Sequence, residues 1–272
     1  TLHPLLEDGC QGDEEPLPHK KVAFIGISNW ALDPAKMNRG ILVQREVPDL
    51  EELMNTAHGI CGTKNHVYNH VKPFIEPLAK SYLYLFEVAS VKLREFFGLR
   101  DFYSLMKMIY SFVERTNKPL SWCQLLHSIK RNFGGLDTIN PVDTFASGLT
   151  MLDRNAERRE GDPDDNTASL ITACLYDTNN TQNESRYLLL LTENYGALTI
   201  MQQLIPTRNN IITIFGSSFP SDQEYTQVCR NINRIKVCME TGNTVVLLNL
   251  ENLYESLYDA LNQYYVYFGG ER

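Results

Sequence analysis

The 272 residues contain no long hydrophobic run, no cluster of positive charge and no cysteine framework. Each absence removes a class of function. A bilayer-spanning helix needs roughly 20 consecutive apolar residues, and nothing in the sequence approaches that, so no transmembrane segment is expected. Duplex nucleic acid is held by grouped Lys and Arg that displace counterions. Here the formal net charge is −8 and the nearest thing to a basic run is the pair Lys20-Lys21, so no nucleic-acid partner is expected. The six cysteines lie far apart without regular spacing, which fits reduced thiols of a cytosolic protein better than a disulfide scaffold. Two glycosylation-type sequons, Asn179-Asn180-Thr181 and Asn183-Glu184-Ser185, sit in a polar stretch with no secretory signal and read as chance matches. The initiating Met is missing as well. The chain opens on Thr1-Leu-His-Pro-Leu-Leu-Glu7, which looks like the middle of a helix, and a fragment of a longer protein is expected.

What is present is 43% apolar residues, enough for real cores, in a pattern that changes along the chain. After an Asp-, Glu- and Pro-rich loop, Lys21 to Ser28 is an apolar run of strand length. Leu32 to Arg39 reads as a short helix with Asp33 as N-cap and Pro34 in its first turn. Ile41 to Val43 reads as a second short strand. From Asp49 to about Leu152 apolar residues recur at helical spacing (Phe74, Leu78, Tyr82 and Leu85, for example), the pattern of a helical bundle. Asp153 to Thr167 is charged and nearly free of apolar residues, and is taken as a linker. Beyond it strands at Tyr187–Thr192, Asn210–Phe215 and Thr244–Asn249 alternate with helices, the last over Leu253–Tyr265. Ser221 followed by Glu224 has capping-box spacing. Such alternation implies a parallel sheet covered by helices.

The chemically informative stretch is Phe24 to Gly40. A buried strand ending in Ser28-Asn29 places an amide side chain at a sheet's carboxyl edge, where ligands collect in open α/β folds. An amide both donates and accepts, so Asn29 can orient a water against a phosphate. Ten residues on, Arg39 leaves a short helix, and its planar charged fork suits a phosphate presented by a neighbouring subunit.

This stretch resembles the AAA+ ATPases, in which a strand ends in the sensor 1 Asn and an arginine finger follows the next helix. The helical block is similar to the AAA+ lid, and Gly98-Leu99-Arg100-Asp101, opening an amphipathic helix, resembles the sensor 2 position. Longer runs, among them Gly26 to Gly40, Phe97 to Met108, Ile214 to Pro220 and Asp222 to Arg234, resemble the giant RING-finger E3 ubiquitin ligases built on a dynein-like AAA+ core. The resemblance implies an α/β fold of AAA+ type in four parts. Residues 1–48 would be the C-terminal part of one large subdomain, 49–152 its lid, 153–167 the linker, and 168–272 the first half of a following unit. It implies Asn29, Arg39 and Arg100 as catalytic residues, Asn29 and Arg100 contacting nucleotide, and ATP with Mg²⁺ as cofactors whose P-loop lies outside this chain. It also implies neighbouring AAA+ units and the ubiquitin machinery as partners, in the cytoplasm and at lipid droplets. No Cys/His RING pattern occurs here.

The second unit departs from the family. Where Gly-x-x-x-x-Gly-Lys-[Ser/Thr] belongs, Leu191 to Thr199 has no lysine, one glycine and an acidic Glu193. Where a strand should end in Asp-Glu it ends in Asn249-Leu250, although Mg²⁺ wants hard carboxylate oxygen. This unit is expected to be silent.

Plainer readings stand beside the functional ones. Asn29 can also be read as a turn cap, Arg39 as a helix-end cation, and Arg100 as the partner of Asp101 or Glu95. The alternative for the whole chain is an AAA+-shaped scaffold. A DNA clamp-loader relative is disfavoured by the charge. His66 and His70 are four apart with Cys61 upstream, and Cys123 and His127 share that spacing, but zinc needs three or four converging ligands. No metal site is expected, and Tyr254, Tyr258, Tyr264 and Tyr265 read as packing a helix face.

Overall fold

A computed structural model describes residues 19, 23, 25–28, 33–43, 48–93, 97–135, 138–176, 187–193, 195–205 and 210–261. Contacts divide the chain into two units, 1–49 and 50–272.

In the first unit Asp33 and Pro34 start a helix, as their capping and φ preferences dictate. This is α1, Pro34–Met37; Met37 N donates to Asp33 O and Asn38 N to Pro34 O, at 3.0 Å each. The strands expected around it are not found among the described residues. Ile25 and Ile27 are 89% and 95% exposed, Ile41 and Val43 96% and 86%, and none of them joins a ladder. An apolar strand is buried only where other strands flank it and helices cover its faces. The described part of this unit supplies one four-residue helix.

The second unit begins with the bundle that the 3.6-residue period predicts. Its helices are α2 (Leu50–Cys61), α3 (Asn65–Leu93), α4 (Leu99–Thr116), α5 (Trp122–Phe133) and α6 (Pro141–Gly148). Their ends follow from local chemistry. At the start of α5, Gln124 N donates to Ser121 Oγ and Ser121 N to Gln124 Oε1, both at 3.2 Å, closing a capping box. Asn140 accepts from Val142 N at 3.1 Å with Pro141 first in α6. α4 stops at Asn117, which adopts the left-handed conformation with φ 48°. α3 runs through Pro73 and Pro77, each of which lacks the N–H that would reach back four residues. Packing holds it instead, through buried Phe74, Ile75, Leu78, Ala79, Tyr82 and Leu85. The bundle's centre is aromatic: the Phe133 ring lies 5.3 Å from Phe97, 5.4 Å from Phe145 and 6.2 Å from Tyr82.

The charged segment after α6 is docked on the bundle by polar contacts. Ser121 Oγ donates to Asp162 Oδ1 at 3.0 Å and Arg159 N to Asp162 Oδ2 at 3.1 Å, with Asp162 only 6% exposed. Arg159 Nη1 donates to Pro119 O at 2.8 Å, and His127 Nδ1 meets Asp164 O at 2.8 Å. Lys130 pairs with Asp165, and the Arg154 guanidinium lies 5.5 Å from the Trp122 ring centroid. The Lys130 hydrogen bond holds the Asp165 carboxyl below its usual range. What that pair contributes is therefore present above the ordinary carboxylate range and fades as pH falls through the lowered value. Asp162→Ala leaves the buried Ser121 hydroxyl and the partly buried Arg159 amide without their acceptor. It is expected to destabilise the chain by about 2 kcal/mol, read from the urea midpoint. Glu157→Ala, at an exposed position of the same segment, should stay within about 0.5 kcal/mol. Equal effects would mean that Asp162 is not an anchor.

Asn166 then caps α7 (Thr167–Tyr176) by accepting from Ser169 N at 2.8 Å, a helix the linker reading does not anticipate. The strand expected over 187–192 forms no ladder among the described residues: Leu188 and Leu190 pack on Ile171 of α7 and on Met201 and Ile205 in and just after α8 (Gly196–Leu204), while Leu189 and Leu191 face outward. β1 (Ile211–Phe215) pairs in parallel with β2 (Thr244–Leu248), Ile211 opposite Thr244 and Phe215 opposite Leu248. The crossover is α9 (Tyr225–Glu240), and Ile214, Ile235, Leu250, Leu253 and Leu257 form the core beneath. Two expectations fail here. Pro220 starts a 3₁₀ turn over Pro220–Asp222, which delays the helix to Tyr225, so Ser221 and Glu224 form no capping box. The single helix expected from Leu253 is broken into α10 (Glu251–Tyr254), a 3₁₀ turn (Glu255–Leu257) and α11 (Tyr258–Leu261); Tyr264 and Tyr265 lie outside the described residues.

Candidate nucleotide-linked site

The three residues singled out for ATP chemistry have different standing. Asn29 lies outside the described residues. Arg39 follows α1 and is half-buried, and its Nη1 donates to Ala35 O one turn back. That contact satisfies a terminal carbonyl of a helix too short to bond all of its own. Arg100 is exposed in the first turn of α4. Its neighbour Asp101 turns toward the helix start, where Oδ2 accepts from Gly98 N at 2.8 Å. Burial nonetheless pushes the Asp101 carboxyl up, against the lowering effect of that bond. Arg39 and Arg100 belong to different contact units.

At the start of α8 the first backbone amides are met by the chain itself. Gly196 N donates to Glu193 O at 3.2 Å, Ala197 N to Thr192 Oγ1 at 3.2 Å, and Leu198 N to Tyr195 O at 3.0 Å. Tyr195 adopts the left-handed conformation with φ 60°. At the end of β2, Asn249 does the same with φ 52°, and its Nδ2 donates to Tyr195 Oη at 3.2 Å across 54 residues of sequence. Gly216 makes room for this turn. Its N–H donates to Leu248 O at 2.6 Å, and a Cβ there would lie 1.7 Å from Asn249 O. Leu250, at the place of a water-activating Glu, is 5% exposed and part of the core. Asn249 thus brings a neutral amide, Leu250 a buried apolar side chain and Glu193 an exposed carboxylate to this region. No sequence signal announces the Tyr195–Asn249 bond, because the two residues meet only through the fold.

Among the described residues no three His, Cys, Asp or Glu side chains converge as metal ligands. Cys61 is buried, its thiol pushed up to about 12 by burial, and His127 is committed to the Asp164 carbonyl. No helix among the described residues is long and apolar enough to cross a membrane.

Residues 177–272 match one family of RNF213 AAA domains, and residues 1–52 match a second. The whole chain is 51% identical over 278 residues to the E3 ubiquitin-protein ligase RNF213 of Mus musculus. It is 49% identical to that of Homo sapiens and 48% identical to E3 ubiquitin-protein ligase rnf213-beta of Danio rerio. Each alignment takes in 100% of this chain and 5% of the relative. With two AAA families matched at its two ends and relatives at about half identity throughout, the chain belongs to the AAA region of the RNF213 family.

Proposed function

We propose that the chain serves ATP-driven conformational work linked to ubiquitin transfer within a large E3 ubiquitin ligase. The observation that carries this is the full-length similarity to proteins named as such ligases, with AAA families matched at both ends. In this reading the AAA unit to which residues 1–152 belong hydrolyses ATP with Mg²⁺ on a P-loop that this chain does not supply. Asn29 orients the attacking water, Arg100 steadies the phosphates, and Arg39 stabilises developing charge on the nucleotide of the preceding unit. Residues 168–272 bind no nucleotide and transmit rather than drive. The partners are neighbouring AAA units and the ubiquitin machinery, and the setting is the cytoplasm and the lipid-droplet surface.

The test is single-turnover ATP hydrolysis by the full-length protein, wild type against Asn29→Ala, with nucleotide affinity measured alongside. Hydrolysis is expected to fall by about 10²- to 10³-fold, as when a preorganised amide is lost from other active sites, with affinity unchanged. If both quantities hold, Asn29 is a turn cap and the ATPase reading of that AAA unit fails. A second reading, an AAA-shaped scaffold throughout, is favoured by one observation: Leu250 has been given over to the core.

A further inference from the structure

We infer that Tyr195 and Asn249 form a clasp that takes the place of a bound nucleotide in the second unit, fixing it in one conformation without a ligand. The inference rests on the reading of residues 168–272 as silent. In open α/β nucleotide folds the ligand lies outside the carboxyl ends of the strands, with its phosphates on the N–H groups of a helix start. It therefore ties the helix that follows one strand to the end of another. Here the start of α8 and the end of β2 are tied by protein. The first amides of α8 already donate to Glu193 O, Thr192 Oγ1 and Tyr195 O. The Tyr195 side chain meets the Asn249 amide at the end of β2, 3.2 Å away.

Two further features make the contact a designed one. Both residues hold positive φ, 60° and 52°, a conformation that Asn tolerates and Tyr rarely adopts. Such backbone persists where its surroundings over-determine it. At Asn249 the determinant is Gly216, whose missing side chain lets the Asn249 carbonyl come within 1.7 Å of the position a Cβ would take. The anchor residue is thus set by backbone packing, and the amide is left to reach Tyr195. Asn249 is neutral, so the bond needs no counter-charge and no metal. A phosphate entering here would have to displace Thr192 Oγ1 from Ala197 N and approach exposed Glu193.

The experiment is a double-mutant cycle in the 272-residue chain with Tyr195→Phe, Asn249→Gly and the pair, glycine being chosen because it keeps the left-handed turn. The readout is amide hydrogen exchange at Gly196, Ala197 and Leu198, with exchange in α4 and α5 as the control for intact folding. Each single variant is expected to speed exchange at the α8 start by about three- to tenfold, the range of one net hydrogen bond. The double variant should go no further. Unchanged exchange, or effects that multiply in the double variant, overturn the clasp. Binding of a fluorescent ATP analogue with Mg²⁺ to the isolated chain is measured in parallel. Saturable binding that Tyr195→Phe or Asn249→Gly alters overturns the silent reading, whichever way the cycle falls. A multiplicative cycle with no binding overturns the clasp alone.

Discussion

Replacing Arg39 with alanine is expected to slow ATP turnover at the preceding AAA unit of the full-length protein by about a thousandfold, at the lower end of what arginine fingers supply. Nucleotide affinity should be unchanged, because a finger acts on charge that develops during transfer rather than on the ground state. Arg39→Lys should recover little. Lysine offers a point charge where two parallel N–H groups are needed. The structure defines the competing outcome. Arg39 already donates to Ala35 O at the end of α1, and a residue whose whole work is that contact contributes a fraction of a kcal/mol to a helix end. Turnover within twofold of wild type, with a small loss of stability, would leave the helix-end role standing and remove the finger. Comparing kcat with KM separates the two, since the helix-end role predicts no selective loss in kcat.

Phe133→Ala is expected to destabilise the helical bundle by about 4 kcal/mol, the usual cost of emptying a large aromatic site. Phe133 has no exposed surface and touches the rings of Phe97, Phe145 and Tyr82, which come from three other places in the bundle. These rings come from helices and loops tied elsewhere, so they cannot collapse into the void without moving several elements together. A loss of that size is a large part of a typical domain's stability. Trp122 lies on the same helix, and its fluorescence during urea unfolding reports the bundle. The core beneath β1 and β2 is a separate cluster, so exchange protection in α9 should persist at urea concentrations that unfold the bundle of this variant. Simultaneous loss of both would show that the two cores are energetically one.

How much of this was legible in the sequence depends on the range of the interactions. The bundle was legible because its information is periodic and local: Leu105, Met108, Ile109 and Phe112 recur at helical spacing and are buried together. β1 and β2 were found for a similar reason, as short apolar runs set off by turn residues. Ile25 and Ile41 have the same local signal and are exposed, because burial of a strand is decided by its neighbours and not by its own composition. Ser221 and Glu224 have the right spacing for a cap, but Pro220 supplied a competing turn. The segment from Asp153 reads as a linker because it has almost nothing apolar to bury, yet it is held by hydrogen bonds to side chains about 35 to 41 residues away. For the candidate site, the residue types that depart from AAA+ chemistry, Glu193, Asn249 and Leu250, were visible from the sequence. Their arrangement was not. The bond between Asn249 and Tyr195 exists only once β2 and α8 are brought together.

The docking of the charged segment divides its information unequally. Much of what the bundle grips is main chain: the carbonyl oxygens of Asp164 and Asp165 accept from His127 and Lys130. In return Arg159 reaches the carbonyl of Pro119, while Arg158 folds back onto the Asp162 carbonyl. A carbonyl is the same in every residue, so the address is written in the path of the chain. Substitution along the segment can therefore proceed with little effect on where it sits, while Ser121, His127 and Asp162, which supply the specific groups, are the positions where drift should be slow.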